Sequence, residues 1–420
     1  MRIGFVSTRF HGTDGVSLEA AKWAHVLEEN LGHQCFWFAG KLDTDPDVSC
    51  LCPEAFFEYP GIGAIQKALF ESDGSRPQSL SDEVESFSSD LTAELRRFIA
   101  RYELDMLLPQ NVLAIPMHVP LGLAVTNLAE EGMPMLAHHH DFSWERSRFD
   151  HGCAADYLQR AFPPALSDQV LHVVINSRAG RDLLERRGVP SSVVPNVFDF
   201  ENPPHKPDAY GDDFREQLGI LPDEILVLQP TRVVPRKGIE YAIELCCRLQ
   251  EKLGRKVCLV VSHAAGDEGF EYLEELIRLA GQLAVRVMWI GERVREDRGN
   301  DANGRKCYRL WDVYPHADLV TFPSLYEGFG NALLEAFYFS RPAVVNRYSV
   351  YIEDIEPHGF QVVTMDGCLT DQVVHDAARL IDDKEKAAHW GMHNYRVCKE
   401  HYSYRALRQG LGDLVGRLAG

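Results

Sequence analysis

Short apolar runs alternate with amphipathic stretches along most of the chain. "RIGFVS" predicts a buried first strand, and "SLEAAKWAHVLEENLG" repeats its apolar residues at helical spacing. Ser17 is the candidate cap of that helix and Gly32 its stop. "HQCFWFAG", "LDMLLPQN", "MPMLAHHHD" and "VLHVVINS" predict further strands, each separated from the next by helix-like sequence. Strands alternating with helices predict a parallel sheet covered on both faces. Residues 60–102 depart from the pattern: two predicted helices flank the Ser/Asp-rich "ESDGSRPQSLSDEVES", read as a loop elaborating a site near the cleft.

The alternation breaks after "VVPNVFDF". Residues 201–213, "ENPPHKPDAYGDD", have the Pro- and Asp-rich composition of a linker. It then restarts, with strands at "ILVLQPTRV", "VCLVVSHA", "VRVMWIG", "ADLVTFPS" and "PAVVNR". "IEYAIELCCRLQEKL" and "FEYLEELIRLAGQL" supply helices between the first three of these strands. The expectation is α/β architecture: two Rossmann-like, doubly wound domains, 1–200 and 201–401, facing across a deep cleft. A last helix, "YSYRALRQGLGDLVGRL" within 402–420, is expected to pack back on the first domain. Ligands of such sheets bind beyond the carboxyl ends of the strands, which makes the cleft the default site.

Composition narrows the function. The chain has 420 residues, long enough for two domains, and a formal net charge of −19. So acidic a protein is a poor partner for nucleic acid or anionic lipid, although local basic pockets can still hold phosphate. No apolar run approaches the ~20 residues that span a bilayer, and the N-terminus turns polar too early for a secretory signal. The ten cysteines show neither a disulfide framework nor a complete zinc pattern, which fits buried thiols in the cytoplasm.

Two stretches carry candidate chemistry. In "SLYEGFGNALLEAF", Glu327 and Glu335 lie eight positions apart, on either side of a corner holding Gly328, Phe329, Gly330 and Asn331. The glycines allow close backbone approach, Asn331 is a candidate helix cap, and carboxylates accept hydrogen bonds from vicinal hydroxyls. In "TRVVPRKG", Arg232 and Lys237 stand before a helix, where the helix dipole adds to their charge and suits a diphosphate. Taken alone, the first pair also reads as one dipole-favoured glutamate and one surface glutamate, and the second as a solvated loop.

Together these motifs resemble the retaining glycosyltransferases of family 4, which have the two-domain GT-B fold. Their E-x7-E motif matches Glu327 to Glu335, and their Arg-x4-Lys pair matches Arg232 and Lys237. Their glycine-rich first loop resembles "HGTDGVSLEAAKWAHVLEENLGH", which contains Gly15. Their interdomain "PNGVD" resembles "PNVFDF", with Val197 in place of the glycine. The resemblance covers nearly the whole chain and extends to bacterial synthases of mannosylglucosylglycerate, a compatible solute.

The resemblance implies hexosyl transfer with retention of anomeric configuration. Glu327 would bind the sugar and Glu335 the ribose of a nucleotide-sugar donor, with GDP-mannose preferred and UDP-glucose next. Backbone around Gly328 to Asn331 would contact sugar hydroxyls, Arg232 and Lys237 would neutralise the departing diphosphate, and Gly291 would lie by the base. The longer loop "EDRGNDANGRKCY" follows Gly291. In "LAHHHDFSWERSRF", His140 with Asp141 falls at the family's "HD" pair, so His140 would line the sugar side. By strand alternation His138 shares its face and His139 does not.

A chain this acidic needs local cations for an anionic acceptor. Trp144, Arg146 and Arg148 are candidate acceptor ligands with Asp141, against the plainer reading of Arg146 and Arg148 paired with Glu145 or Asp150. A small, soluble acceptor of the glucosylglycerate type follows from that cluster. No metal ligand is assigned, because one strand cannot aim adjacent histidines inward together, and the family's chemistry generally needs no metal. No cofactor is expected. Neither nucleic acid nor a membrane is an expected partner, and a homo-oligomer is compatible with the sequence. The alternatives are a sugar-nucleotide epimerase or phosphorylase of the same fold, a non-catalytic sensor, or transfer to a lipid or polysaccharide.

Overall fold

The computed structural model describes all residues except Thr13, Asp73, Ser167, 205–207, Asp267, Glu268 and Gly420. The chain divides into two compact units. One comprises residues 1–197 with the segment from Tyr404 onward, and the other runs from Phe198 to Ser403. The second unit thus begins three residues earlier, and ends two later, than the expected 201–401.

The strands are β1 (Arg2–Val6), β2 (Gln34–Ala39), β3 (Ser49–Leu51), β4 (Met106–Pro109), β5 (Met135–His139), β6 (Val170–Val174) and β7 (Ser191–Val193) in the first unit. The second holds β8 (Ile225–Gln229), β9 (Val257–Val261), β10 (Arg286–Trp289), β11 (Gly299–Asn300), β12 (Lys306–Cys307), β13 (Leu319–Phe322), β14 (Ala343–Asn346) and β15 (Val363–Met365). Seven strands form the first sheet, ordered β3-β2-β1-β4-β5-β6-β7, and six form the second, ordered β10-β9-β8-β13-β14-β15. Every neighbour pair in these two sheets is parallel. The central strands are buried on both faces, which is why they read as continuous apolar runs.

In the first unit, the helix Gly15–His25 and the last helix, Tyr404–Ala419, cover one face of the sheet. Leu407, Leu411 and Leu414 of that last helix pack with Ile3, Phe5 and Met106. The helices Gln78–Tyr102 and Val119–Glu130 cover the other face, through Leu91, Leu95, Phe98, Leu121 and Val125. In the second unit the helix Ile239–Leu253 buries Ile239, Ile243, Cys246 and Leu249, the spacing of one helical face, against β8 and β9.

Three local readings need correction. The first helix is capped by Asp14, whose carboxylate accepts from the amides of Val16 and Ser17, so Ser17 lies inside the first turn. A carboxylate two residues before Val16 reaches both amides, whereas Ser17 already carries helical backbone. The Ser/Asp-rich stretch after residue 70 is helical from Gln78, because Ser79 and Ser86 fall on the exposed face of a helix anchored by Val84 and Leu91. The supposed linker 201–213 belongs to the second unit, apart from 205–207, which lie outside the described residues. Asp208 holds Arg298, and Asp213 holds Lys306 and the Tyr308 hydroxyl, which clasps this segment to the β11–β12 hairpin of the longer loop.

Candidate active site

In the second unit the candidate residues gather where β13 ends. Pro323 and Ser324 are buried, Leu325 and Tyr326 are exposed, and Glu327 turns back in. Across from it, the short turn Pro235–Lys237 ends on a lysine that is 8% exposed. The Lys237 ammonium donates to Glu327 Oε1. Arg236 donates to Glu327 Oε2 at 3.2 Å and to the Tyr326 carbonyl at 3.2 Å, while Leu325 N donates to the Arg236 carbonyl at 2.8 Å. Burial pushes the Lys237 ammonium below its usual value, Arg236 and Arg232 push the same way, and Glu327 opposes them. Two loops are therefore laced into one charged cluster in which a single carboxylate holds two cations.

Gly330 has φ +129°, and a Cβ there would sit 2.5 Å from the Tyr348 hydroxyl. That hydroxyl donates to the Phe329 carbonyl at 2.6 Å, and the Phe329 ring is buried edge-on to Tyr402. Gly328 is the half-buried bend between Glu327 and Phe329. The helix Asn331–Tyr338 starts at Asn331 with Gly330 in the cap position, so Asn331 is its first residue and not its cap. The left-handed backbone at Gly330 makes the turn that an asparagine side chain was expected to stabilise. One turn along, the half-buried Glu335 accepts a hydrogen bond at 2.9 Å from the Tyr314 hydroxyl. Gly291 opens a turn packed on the chain after β9: a Cβ would come within 2.2 Å of Ala264 N, so this glycine serves close backbone packing. Arg232 is exposed at the mouth of its loop.

In the first unit the candidate residues gather at the ends of β4 and β5. His138 and His140 share a face, with ring centroids 4.3 Å apart, and His139 points the other way, onto His172. Gln110, fully buried just after β4, places Oε1 at 3.0 Å from His138 Nδ1 and 3.1 Å from His140 Nε2. Asn111, with φ +62°, accepts from the amide of His140 at 3.0 Å and donates to Asp141 Oδ1 at 2.7 Å. Burial pushes His140 down to about 4, despite the opposing charges of Asp141 and Asp14. It also holds His138 and His139 well below the ordinary imidazole value. All three rings are neutral near pH 7.

Beside His140 lies a cavity of about 210 Å³ lined by Arg9, Asp14, Gln110, Asn111, Asp141 and Arg146, among others. Gly15, first residue of its helix, has open space where a side chain would project. Arg146 pairs with Asp141 and not with Glu145 or Asp150. Two expected acceptor ligands are elsewhere. Trp144 stacks on Phe142 at 4.4 Å with Arg186 over its ring, so apolar packing takes the face meant for a sugar. Arg148 lies over Phe149 and contacts Met117 Sδ, drawn off by an aromatic ring and a thioether. The "PNVFDF" match spans the boundary between the units, and its Val197 is tied down inside the first: Val197 N donates to the buried Glu19, and Lys22 donates to the Val197 carbonyl. Among the described residues no three His, Cys, Asp or Glu side chains are grouped to hold a metal, and no helix is long and apolar enough to cross a membrane.

Arg236, Tyr314, Gln110 and Asn111 were not anticipated. "PQN" at the carboxyl end of β4 is a signal that could have flagged the last two, since that strand end faces ligand in such sheets. Tyr314 has no local signal.

Residues 211–397 match the model of the group 1 glycosyl transferases. The chain is 33% identical to the mannosylglucosylglycerate synthase of Thermotoga maritima over 99% of both proteins. It is 31% identical to that of Petrotoga mobilis over 87% of this chain and 86% of the relative. Among solved structures, HepE of Anabaena with UDP and glucose superimposes with a TM-score of 0.65 at 16% identity, covering 99% of this chain and 100% of HepE. Sucrose-phosphate synthase of Thermosynechococcus elongatus gives 0.65 at 15% identity, covering 99% and 98%. The two Rossmann-like units are those of a GT-B glycosyltransferase, and the chain belongs to the group 1 glycosyl transferases, in the family of the Thermotoga and Petrotoga synthases.

Proposed function

We propose that this glycosyltransferase moves a mannosyl group from GDP-mannose, with UDP-glucose the next candidate donor, to a hydroxyl of a glucosylglycerate-type acceptor. The observation that carries this reading is the 33% identity, end to end, with a mannosylglucosylglycerate synthase. The second unit would handle the donor and the first the acceptor. Lys237, Arg236 and Arg232 suit the diphosphate, since fixed cations lower a barrier most where charge develops on the leaving group. A carboxylate oxygen has room for more than one donor, so Glu327 can orient both cations and still accept from a sugar hydroxyl. Glu335, steadied by Tyr314, would accept from the ribose diol.

Transfer proceeds with retention, on the face the diphosphate leaves. The bond from the anomeric carbon to the phosphate oxygen breaks as the bond to the acceptor oxygen forms, and the acceptor's proton passes to the departing diphosphate. Neutral His140 lines the sugar side. The reaction takes place in the cytoplasm without a metal, a cofactor or stable membrane association. The test is a donor screen of GDP- and UDP-sugars with glucosylglycerate, in the presence and absence of a chelator, with the product's anomeric configuration read by NMR. An α-mannosyl product formed equally well with chelator is expected. Lack of transfer from any donor to this acceptor, or activity lost to chelation and restored by manganese or magnesium, overturns the corresponding part.

A further inference from the structure

The first unit's cavity contains two guanidinium groups whose hydrogen-bonding capacity is only partly used. Arg9 meets Asp14 through Nε alone, at 3.3 Å, and its terminal nitrogens make no hydrogen bond among the described residues. Arg146 spends Nε and one terminal nitrogen on Asp141. The two carboxylates are themselves occupied. Asp14 accepts from the amides of Val16 and Ser17 and from the Ser17 hydroxyl, at a helix N-terminus whose dipole offsets its charge. Asp141 accepts from Asn111 Nδ2. Each acid thus anchors one edge of an arginine and leaves another edge for a ligand. Gln110 lines the same cavity, and its Nε2 is a fully buried donor without a partner among the described residues. Buried donors are rarely left so, and a ligand oxygen or water satisfies them.

We propose that this cavity is a carboxylate site: Arg9 and Arg146 together bind the carboxylate of the acceptor's hydroxy-acid end, and so select an acidic glycoside over its neutral counterpart. This rests on the acceptor reading above and replaces Trp144 and Arg148 with Arg9. The planar fork of arginine matches a carboxylate with two parallel hydrogen bonds, which a lysine cannot reproduce. At about 210 Å³ the cavity fits a three-carbon acid and not a disaccharide, so the sugar of the acceptor would extend out of it.

The test compares glucosylglycerate with glucosylglycerol, in which a hydroxymethyl replaces the carboxylate, on wild type and on Arg9→Met, Arg9→Lys and Arg146→Met. Wild type is expected to prefer the acid at least tenfold in kcat/KM. Each Met variant should lose most of that preference through the acceptor KM, and Arg9→Lys should recover only part of it. A preference kept intact in both Met variants overturns the proposal. Carboxylate binding is read separately by NMR titration of D-glycerate into the intact protein. Saturable binding lost in Arg9→Met and Arg146→Met supports the site even if no sugar transfer is seen, in which case the acceptor reading alone fails. Binding that does not saturate, or is unchanged in both variants, rejects the site. Urea midpoints of the variants, expected at the wild-type value, exclude unfolding as the cause.

Discussion

Lowering the pH should unfold the first unit through its histidines. His118, His140 and His172 are each pushed down from 6.5 to about 4 by burial, and His138 and His139 are held well below the usual value for the same reason. A folded value below the unfolded one means that the unfolded chain binds more protons between the two. The stability these groups confer is therefore complete above about pH 6.5 and is lost as pH falls towards about 4. A drop of that size is worth about 3 kcal/mol per histidine at about 1.36 kcal/mol per unit. Three such groups approach the whole stability of an ordinary domain, about 5–15 kcal/mol. At about pH 5.5 each unfolded imidazole is about nine-tenths protonated and each buried one almost neutral, so unfolding should take up at least about three protons. The assay is proton uptake on urea unfolding in weak buffer at that pH, which lies above the range where carboxylates titrate. His118→Asn is the control, because Asn can keep the cap to Leu121 N while removing one titrating group; it should lower the uptake by about one proton. Uptake of less than about one proton in wild type would falsify the claim that these rings are buried and neutral.

The charged corner of the second unit gives two further expectations. Lys237→Ala and Glu327→Ala should each lower kcat by at least about a hundredfold, the loss of a strong transition-state contact. The fold should survive both changes, because Arg236 still faces Glu327 in the first variant and the exposed side of the corner admits water in the second. Near-normal turnover in either variant removes the pair from the donor site. Tyr314→Phe deletes one hydroxyl to Glu335, worth about 1 kcal/mol, and should raise the donor KM about fivefold with little change in kcat; an unchanged donor KM refutes the positioning of Glu335 by Tyr314.

How much of this could be read from the chain depends on how local each cause is. The burial of the strands shows in "RIGFV" of the first sheet and "VCLVV" of the second, so both sheets were legible. So was the split of the histidines, since strand alternation alone puts His138 with His140. The short edge strands β3, β7 and β15, three residues each, leave no such pattern and went unread. The pairing of Lys237 with Glu327 was missed although both residues were singled out, because each was assigned to a ligand and not to the other. Gln110 meets His138 and His140 across neighbouring strands, at sequence separations of 28 and 30, and no local pattern encodes that contact. The stacking of Trp144 on Phe142 joins residues two apart in "FSW", but the cation over its ring comes from Arg186, which no local pattern places there.

The two groups of candidate residues, one in each unit, differ in charge for a physical reason. In a chain of net charge −19, cations are drawn to whatever acids they can reach. Burying Lys237 alone would favour its neutral form. Glu327 opposes that by direct contact, and by touching Arg236 as well it leaves one of the two cations without a full counter-charge. Arg232 adds its field from farther off. On the proposed reading, a diphosphate entering this corner would supply the missing negative charge without having to pull the cluster apart. The first unit solves the opposite problem. A sugar is neutral, so a buried ion beside it would be desolvated without compensation. Keeping His138, His139 and His140 uncharged, with Gln110 meeting one ring nitrogen of two of them, provides polar contacts there at low electrostatic cost. The ion pairs that line the cavity, Arg9–Asp14 and Arg146–Asp141, are ones that water still reaches, and on the proposed reading they would give an acceptor with a charge of its own a reason to bind there.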